Sequence, residues 1–300
     1  MELFCTFIKM SLRWLPTRFD TDLTDMKPTA RYAVFGHPIA HSRSPEIHLA
    51  FAKQEGVDID YEKILLPLDG FATGVREQLV LGLQGANVTV PFKLDACAFA
   101  DELSERADKA GAANTLIVRA DGSVLGDNSD GLGLMQDITV NQGITLRGKK
   151  VLLLGAGGAV RGVLQPLLAL EPASVSIANR TLDKAQDLAT LFGVEALGLQ
   201  AASQQHFDII INGTSTGLSN AAPDLAAHSF AQCELAYDMV YGAEPTPFMR
   251  LAAAAGAKAT ADGLGMLVGQ AAVSYQWWRG FQPDTQTVLA AMRASLCSNH

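Results

Sequence analysis

The stretch that decides the fold is KKVLLLGAGGAVRGVLQPLLAL, residues 149–170. Residues 151–154 form a continuous apolar run, which is typical of a parallel strand that is covered on both faces. Gly155, Gly157 and Gly158 follow at once, and a helical pattern comes after them. Such a turn lets the backbone approach a ligand and leaves the first helical N–H groups free for an anion. We therefore expect a strand, a tight turn and a helix that bind a pyrophosphate.

The end of the next predicted strand, residues 173–178, indicates which dinucleotide is bound. Asn179, Arg180 and Thr181 stand there, at about the distance where such domains contact the adenosine ribose. An NAD site would have Asp or Glu for the ribose 2′-hydroxyl, and neither is present. Arg180 and Lys184 instead offer a guanidinium and an ammonium that suit a 2′-phosphate. The sequence favours NADP over NAD.

The glycine motif alone also fits a simpler interpretation. Its sixth position is Val160 rather than Gly or Ala, with Ala159 before it as the small residue that lets the helix pack on the strand. A glycine turn in an α/β protein that binds no nucleotide, together with a solvated arginine, would produce the same letters. The two features at the right separation favour the cofactor site.

Composition bounds the possible partners. The chain has 300 residues, of which 48% are hydrophobic and 18% charged, so it has room for two domains. Its net charge of −8 excludes a global basic field for nucleic acid or an anionic membrane. The four cysteines lie far apart, in neither a metal-binding nor a disulfide spacing, and no apolar run approaches the roughly 20 residues of a membrane helix. We expect a cytoplasmic protein with no metal.

Residues 1–28 differ from the rest of the chain. They begin with an apolar stretch that contains Glu2 and Lys9 and has no small-residue cleavage site, so they make a poor signal peptide. Met26 directly precedes the first predicted strand, residues 31–35, and is a plausible alternative start. We expect a loosely ordered leader or a misplaced start codon.

Polar residues follow the first strand in the stretch HSRSP. Ser44 precedes Pro45 and could cap a helix. A cap would explain Ser44 but not Ser42, so we expect both serines to present hydroxyl and N–H groups to a cleft.

The stretch QGANVTVPFK, residues 84–93, carries a second polar set. Asn87 and Thr89 should lie on one face of a strand that Pro91 ends, lining a pocket with Lys93 just beyond it.

A third polar set precedes another helix. Asn114 begins a predicted strand that leads through a hairpin turn into GDNSDG, residues 126–131, and a helix is predicted from 132 to 142. One aspartate would satisfy the helix N-terminus, so Asp127, Asn128 and Asp130 exceed what a cap needs.

A single helix is predicted over residues 96–111, with its charges, Asp101, Glu102 and Arg106 among them, on a solvated face. The other predicted elements are strands at 60–66, 207–211 and 233–239, a helix at 182–192 and a long terminal helix from about 264.

Eight motifs in order, HSRSP, NVTVPFK, GAANT, GDNSDG, GAGGA, NRT, DMVY and DGLGMLVGQAA, resemble those of the shikimate dehydrogenase family, NADP-dependent enzymes of aromatic amino-acid biosynthesis. The resemblance covers residues 31 to about 290. It implies an α/β fold of two domains, an N-terminal substrate-binding domain and a Rossmann-like NADP domain. The implied boundaries are 29–129 together with 264–300 for the substrate domain, and 130–263 for the NADP domain.

The family pattern also implies roles for individual residues. Those expected to bind shikimate or 3-dehydroshikimate are Ser42, Ser44, Asn87, Thr89, Lys93, Asn114, Asp130, Tyr241 and Gln270. Those expected to bind NADP are Glu105, Gly155, Ala156, Gly157, Gly158, Ala159, Asn179, Arg180, Thr181, Lys184, Met239 and Gly263. Hydride transfer to a ketone builds charge on its oxygen, so a proton donor is needed within hydrogen-bond reach, and Lys93 is the candidate, oriented by Asp130.

The sequence differs from the family pattern at two positions, and two other functions are considered for it. Gly213 and Ser129 stand where the family more often has Ala and Thr, and neither removes a proposed catalytic group. A quinate/shikimate dehydrogenase that uses NAD is the nearest rival, and Arg180 argues against it. A substrate-sensing relative without catalysis should have lost Lys93 or Asp130, and both are present. The expected partners are a small-molecule substrate and, for the assembly, either a monomer or a homodimer.

Overall fold

A computed structural model describes residues 29–214 and 221–298. The predicted leader and residues 215–217 of the NGTSTG stretch lie outside the described residues. The described chain builds two six-stranded sheets, each with helices packed against it. This is the mixed α/β architecture that the sequence predicts.

The first sheet contains the N-terminal strands. Its strands are β1 (Ala30–Gly36), β2 (Ile59–Leu65), β3 (Leu83–Val88), β4 (Glu102–Leu103), β5 (Thr115–Val118) and β6 (Val124–Asp127). Its helices are α1 (Ser44–Glu55), α2 (Phe71–Val80), α3 (Lys93–Phe99) and α4 (Glu105–Ala110). The strand order is β2-β1-β3-β5-β6-β4, and β5 runs antiparallel to both of its neighbours. Strands β1 and β3 pair in parallel, so their carboxyl ends lie at the same edge of the sheet.

The second sheet is wholly parallel in its described pairings. Its strands are β7 (Lys150–Leu154), β8 (Ser174–Ala178), β9 (Glu195–Leu197), β10 (Ile209–Asn212), β11 (Leu235–Asp238) and β12 (Thr260–Ala261). Its helices are α5 (Asp130–Gln136), α6 (Gly158–Leu168), α7 (Leu182–Phe192), α8 (Leu199–Ala202) and α9 (Pro247–Ala254). The order β12-β11-β10-β7-β8-β9 reverses direction between β7 and β10, and ligands of open α/β sheets bind at such a point.

The apolar run of β7 is covered on both faces, as predicted. Val151 and Leu153 belong to one buried cluster, whereas Leu152 and Leu154 belong to another on the opposite face, and all four side chains are fully buried. Alternate residues of a strand point to opposite faces, so a run without polar residues requires helices on both sides.

The C-terminal segment returns to the first sheet. It forms two helices, α10 (Leu264–Arg279) and α11 (Thr285–Ser298), where the sequence predicts a single long helix. Gly280, with a φ of 70°, ends α10 in a left-handed cap, so the chain turns back before α11 begins. Val268 and Tyr275 pack in one cluster with Tyr32 of β1 and Ile47 of α1.

The prediction of one helix over residues 96–111 is wrong. The structure divides this segment into α3, β4 and α4. The Asp101 carboxylate accepts a hydrogen bond from the Val124 N–H, which aligns β4 with β6, and Ser104 then caps α4 by accepting from the Ala107 N–H. Arg106 is not on a solvated face, because its guanidinium donates to Asp127 at 2.7 Å and lies 4.8 Å from the Trp277 ring centroid.

Three helix and strand boundaries also differ from the prediction. Helix α1 begins at Ser44 itself, which is therefore not the N-cap, and the cap residue Arg43 makes no side-chain capping bond. Thr89 lies beyond the end of β3 rather than on its face. The helix predicted for 132–142 begins at Asp130 and continues as a π-helical turn over Asp137–Asn141.

Among the described residues, no helix is both long and apolar enough to cross a bilayer.

Candidate active site

The two helices that begin at Lys93 and Asp130 bring an ammonium and a carboxylate together. The Lys93 Nζ atom lies 2.5 Å from Asp130 Oδ2, and the two side chains keep only 19% and 8% of their surface exposed. The backbone of each residue is held by hydrogen bonds: the Ala113 N–H donates to the Lys93 carbonyl, and the Asp130 N–H donates to Asn128 Oδ1. The predicted pair therefore forms a nearly enclosed ion pair with fixed termini.

Asn114 orients the carboxylate of this pair. Its Nδ2 group donates to Asp130 Oδ1 at 2.8 Å, while its Oδ1 atom accepts from the Ser129 N–H at 2.8 Å. Because an amide oxygen can only accept and an amide nitrogen can only donate, the two partners fix which way the side chain faces. Each Asp130 oxygen thus has its own donor, Lys93 on one and Asn114 on the other.

Asn87 and Gln270 approach the same centre from β3 and α10. Asn87 Oδ1 accepts from the Tyr61 hydroxyl at 2.7 Å, and its Nδ2 group donates to Ser274 at 3.0 Å. Gln270 is 8% exposed, and its Oε1 atom lies 3.4 Å from Asn114 Nδ2. The structure therefore brings five of the predicted substrate-binding residues together: Asn87, Lys93, Asn114, Asp130 and Gln270.

Ser42 and Ser44 meet at the turn that enters α1. The Ser42 hydroxyl donates to Ser44 Oγ at 3.2 Å and accepts from the Ser44 N–H at 3.3 Å. Ser44 is buried, whereas Ser42 is half-buried. Burial raises the pKa of Tyr241, and the positive charge of Arg43, between the two serines, acts against that rise. Tyr241, three residues after β11, packs against the buried cluster that contains Ile47 of α1.

Thr89 lies at the end of β3 beside the end of β1. Its N–H donates to the Phe35 carbonyl at 2.9 Å, and a Cβ atom at Gly36 would come within 2.6 Å of its methyl group. Glycine at position 36 therefore allows Thr89 to sit against β1, directly before the turn that leads to Lys93.

The glycine turn after β7 leaves space in front of the helix that follows. Gly155 adopts a φ of 105°, which disfavours residues with a side chain. A Cβ atom on Gly157 or Gly158 would meet nothing within 4 Å, and the cap of α6 makes no side-chain hydrogen bond. Ala156 and Ala159 are partly buried beside it. The first N–H groups of α6 therefore face open space, which suits a phosphate.

The residues after β8 are exposed at the same edge of the sheet. Arg180, Thr181 and Lys184 are exposed, and Asn179 donates from Nδ2 to the Thr181 carbonyl at 2.8 Å. The two cations stand beyond the carboxyl end of β8, which pairs in parallel with β7 and therefore lies next to the glycine turn. No acidic side chain takes part in the described bonds of this turn.

Met239 follows β11, directly after Asp238, and its N–H donates to the Asn212 carbonyl at 2.9 Å. The Asp238 carboxylate accepts from Asn212, from Thr246 and from the Val240 N–H, and burial raises its pKa while these donors act against the rise. A Cβ atom at Gly263 would come within 2.1 Å of the Met239 carbonyl oxygen. The two backbones are therefore in direct contact, and only glycine fits.

Glu105 lies apart from the glycine turn. Its Oε1 atom accepts from Gln165 Nε2 at 3.2 Å, on the flank of α6. Gln165 follows Gly158 by seven residues, which corresponds to about 10 Å along a helix. Its role as a cofactor ligand stays a prediction.

A cavity of about 500 Å³ lies away from the Lys93–Asp130 pair, next to Gly265. Three acids line it: Asp262 binds the Arg293 guanidinium, Asp137 accepts from the Tyr237 hydroxyl, and Glu244 is exposed. Among the described residues, no group of three or more His, Cys, Asp or Glu side chains could hold a metal.

Comparison with known proteins agrees with this geometry. The profiles described as "Shikimate dehydrogenase substrate binding domain", "Shikimate / quinate 5-dehydrogenase" and "Shikimate 5'-dehydrogenase C-terminal domain" match residues 34–116, 137–222 and 263–293. The chain is 53% identical over 272 residues to the shikimate dehydrogenase (NADP(+)) of Laribacter hongkongensis, covering 89% of this chain and 99% of that protein. The chain belongs to the shikimate dehydrogenase family.

Further comparisons support the same relationship. The shikimate dehydrogenase (NADP(+)) of Methylobacillus flagellatus is also 53% identical, over 88% of this chain and 99% of that protein. The Ael1 enzyme of Pseudomonas putida, at 44% identity, superposes with a TM-score of 0.84 over 88% of this chain and 98% of its own. The Thermus thermophilus shikimate 5-dehydrogenase, solved with NADP(H) and shikimate, is 35% identical and gives a TM-score of 0.82 over 89% of this chain and 100% of its own.

The family assignment and the two-domain α/β fold predicted from the motifs are thus confirmed, but the sequence missed part of the site. Tyr61, Thr115 and Ser274 bind the amides of Asn87 and Asn114, and none was singled out. Ser129 was noted only as a departure from the family pattern. One available signal was the position of Ser274, four residues after Gln270 and therefore on the same helix face.

Proposed function

We propose that the protein is an NADP-dependent shikimate dehydrogenase that catalyses the reversible reduction of 3-dehydroshikimate to shikimate in aromatic amino-acid biosynthesis. The observation that carries this proposal is the ion pair of Lys93 and Asp130, held at 2.5 Å inside a cluster of amides. A proton donor in contact with an oriented carboxylate, next to side chains that can bind several hydroxyl groups, fits the reduction of a polyhydroxylated ring ketone.

The residues around the glycine turn fit NADP. The open space at Gly157 and Gly158 and the uncapped start of α6 suit the pyrophosphate, with Gly155, Ala156 and Ala159 completing the turn. Asn179, Arg180, Thr181 and Lys184 would surround the adenosine 2′-phosphate, because a guanidinium binds phosphate through paired hydrogen bonds. Met239 and Gly263 would flank the nicotinamide, and Glu105 is the least supported member of the set.

The remaining polar residues suit the substrate. The hydroxyl groups of Ser42, Ser44 and Tyr241 would hold its carboxylate at the start of α1. Asn87, Thr89, Asn114, Asp130 and Gln270 would bind the ring hydroxyls. A site built to hydrogen-bond a hydroxyl group rejects an analogue that lacks it, because its buried polar groups are then left unpaired.

The chemistry that we assign to the protein is a proton transfer. NADPH, when bound, supplies the hydride that reduces the ketone. The Lys93 ammonium would donate a proton to the ketone oxygen as charge builds there, and in the reverse direction the neutral amine would accept the proton from the alcohol. Asp130 would hold the ammonium in place through Oδ2, while Asn114 fixes the carboxylate through Oδ1.

The proposal also includes the domain boundaries and the cellular location. Residues 29–129 and 264–300 would form the substrate-binding domain and residues 130–263 the NADP domain, which agrees with the packing of α10 against α1 and β1. The absence of a disulfide or metal spacing among the four cysteines supports a cytoplasmic location. For the assembly, the proposal is either a monomer or a homodimer.

The experiment that tests the function follows the absorbance of the reduced nicotinamide. The purified protein is incubated with shikimate or quinate, each with NADP or NAD. We expect turnover with shikimate and NADP to exceed the other three combinations. Faster turnover with quinate and NAD would favour the rival dehydrogenase, and no turnover by a demonstrably folded protein would exclude the dehydrogenase function.

A further inference from the structure

A continuous line of hydrogen bonds runs from β2 to the Lys93–Asp130 pair. The Tyr61 hydroxyl donates to Asn87 Oδ1 at 2.7 Å, and Asn87 Nδ2 lies 3.0 Å from Ser274 Oγ. Its remaining links join Ser274 to Thr115 at 2.8 Å, Thr115 to Asn114 Oδ1 at 2.9 Å, and Asn114 Nδ2 to Asp130 Oδ1 at 2.8 Å. Five different segments of the chain contribute to it: β2, β3, β5, α5 and α10.

The chemistry of the amide groups fixes the direction of the bonds that Asn87 and Asn114 make, and the distances indicate the direction of the bond between Ser274 and Thr115. Asn114 Nδ2 must donate to the Asp130 carboxylate, so Asn114 Oδ1 accepts, and Thr115 uses its single hydroxyl proton there. Ser274 then donates to Thr115 and accepts from Asn87 Nδ2. Ser274 Oγ also lies 3.1 Å from the Gln270 carbonyl oxygen, the usual partner of a helical serine, but the contact with Thr115 is shorter.

The line therefore points from Tyr61 to Asp130, with each group donating to the next. Hydrogen bonds in such a chain polarise and strengthen one another in a buried environment. Ser274 and Thr115 are fully buried, and Asn87 and Asn114 are 4% and 3% exposed, so water does not compete for these groups. The line orients groups and does not carry a proton, because its amide links cannot relay one.

Ser274 ties the C-terminal helix to this line. It lies on α10, more than a hundred residues from the strands it joins, and its hydroxyl is in reach of Asn87, Thr115 and Ser129. Without the hydroxyl, Asn87 loses the acceptor for one amide proton and Thr115 loses its donor. Asn114 Oδ1 would keep its bond from the Ser129 N–H, but the Thr115 hydroxyl that also donates to this oxygen would lose one of its own partners. The position of Asn114 Nδ2 relative to Asp130 would then be less tightly restrained.

We propose that Ser274, acting through Thr115, is a positioning residue that fixes the Asn114 and Asp130 side chains for proton transfer by Lys93. This inference rests on the proposed function, and it assigns to α10 a role beyond the direct contact of Gln270 with substrate. The inference predicts that kcat falls when the hydroxyl group of Thr115 or Ser274 is removed. A change in side-chain volume that keeps the hydroxyl group should leave kcat nearly unchanged.

The test compares variants that differ in one hydroxyl group. Thr115→Val removes the hydroxyl and keeps the branched shape, whereas Thr115→Ser keeps the hydroxyl and removes a methyl group. Ser274→Ala breaks the line at the next link, and Ser203→Ala, a similarly buried serine beside α8, is the matched control. The initial rate of nicotinamide reduction is measured against shikimate and against NADP for each full-length variant.

We expect Thr115→Val and Ser274→Ala to lower kcat by about 10-fold to 100-fold, the range for displaced reacting groups, with the KM for NADP changed by less than about 2-fold. Thr115→Ser should stay within about 3-fold of the wild type, as should Ser203→Ala. If Ser274→Ala does not fold, Ser274→Cys takes its place, because a thiol is similar in size but only a weak hydrogen-bond donor and acceptor.

Two results would overturn the inference. One is a normal kcat in Thr115→Val or in a folded Ser274→Ala. The other is an equal loss in Thr115→Ser and Thr115→Val, which would show that packing rather than the hydroxyl matters. An inactive wild type would instead contradict the proposed function, so the two failures are distinguishable.

Discussion

Lys93 and Asp130 each stand at the first position of a helix, and their charged groups meet at 2.5 Å although the two helices pack against different sheets. Each helix begins where a strand has just ended, β3 for Lys93 and β6 for Asp130. The backbone groups that start the helices are bound by neighbouring segments, so the ion pair is held by the fold rather than by the flexible lysine chain alone. Such a preorganised pair suits a proton transfer that must occur in one geometry.

Changing Asp130 should impair both binding and turnover. Asp130→Asn keeps the shape but removes the negative charge that faces Lys93, so we expect kcat to fall and the KM for shikimate to rise. The double variant with Lys93→Met should be little worse than the more damaging single variant, because residues that act as a unit are not additive. The measurement is steady-state kinetics of all three proteins, and additive losses would show that the two residues act independently.

Arg180 should select the cofactor. Arg180→Ala would remove the hydrogen bonds that we propose to the 2′-phosphate, worth about 1.5–3 kcal/mol each, so the KM for NADP should rise roughly 10-fold to 150-fold while that for NAD stays almost unchanged. The matched control is Arg147→Ala, which removes an exposed arginine paired with Glu171. Equal losses with both cofactors would make Arg180 a structural residue.

The ion pair between Glu55 of α1 and Arg279 of α10 should make stability depend on pH. The hydrogen bond from Arg279 lowers the pKa of Glu55 below its ordinary value of 4.5, and the Tyr275 hydroxyl acts in the same direction while burial opposes them. The contribution is therefore present above pH 4.5 and is lost as the pH falls through the lower pKa of the folded state.

Denaturation by urea at several pH values measures this contribution. Glu55→Gln should be less stable than the wild type near neutral pH, and the difference should shrink as the pH falls below 4.5. Glu62→Gln is the control, because its pair with Arg31 is more exposed and should add little. A difference between Glu55→Gln and the wild type that does not change with pH would contradict this assignment.

Gly133 of α5 should be intolerant of any side chain. A Cβ atom there would lie 2.4 Å from the Gln270 N atom and 2.6 Å from the Met266 carbonyl oxygen, both of which belong to the α10 backbone. We expect Gly133→Ala to lower the free energy of unfolding by at least about 1–3 kcal/mol. Gly198→Ala, where a Cβ atom meets nothing within 4 Å, is the control. Equal stability of the two variants in urea would show that the helices separate at little cost.

The parts of the fold and site that the sequence predicted are those encoded locally. The apolar run and glycines after Lys150 predict β7 and its turn because strand and turn signals depend on adjacent residues. Asn114 and Asp130 could be identified by the same local reasoning and by the family motifs.

The parts that were missed depend on distant contacts. Arg106 was interpreted as solvated because a helical pattern does not reveal that Asp127, 21 residues later, folds back onto it. Thr115 and Ser274 were missed for the same reason, since they meet only when β5 and α10 pack, 159 residues apart in sequence. Ser44 was misassigned by a single position, which is the usual uncertainty of a helix end.

The measurement that tests the central claim most directly is the kcat of Lys93→Met for the reduction of 3-dehydroshikimate by NADPH. If Lys93 donates the proton, kcat should fall by about 10²–10⁴-fold while cofactor binding survives, because the loss of a general acid acts on the chemical step. Lys53→Met, which changes an exposed lysine of α1, should keep the wild-type rate. A normal kcat with only a raised KM for the substrate would contradict the account, and Lys93 would then be a binding residue.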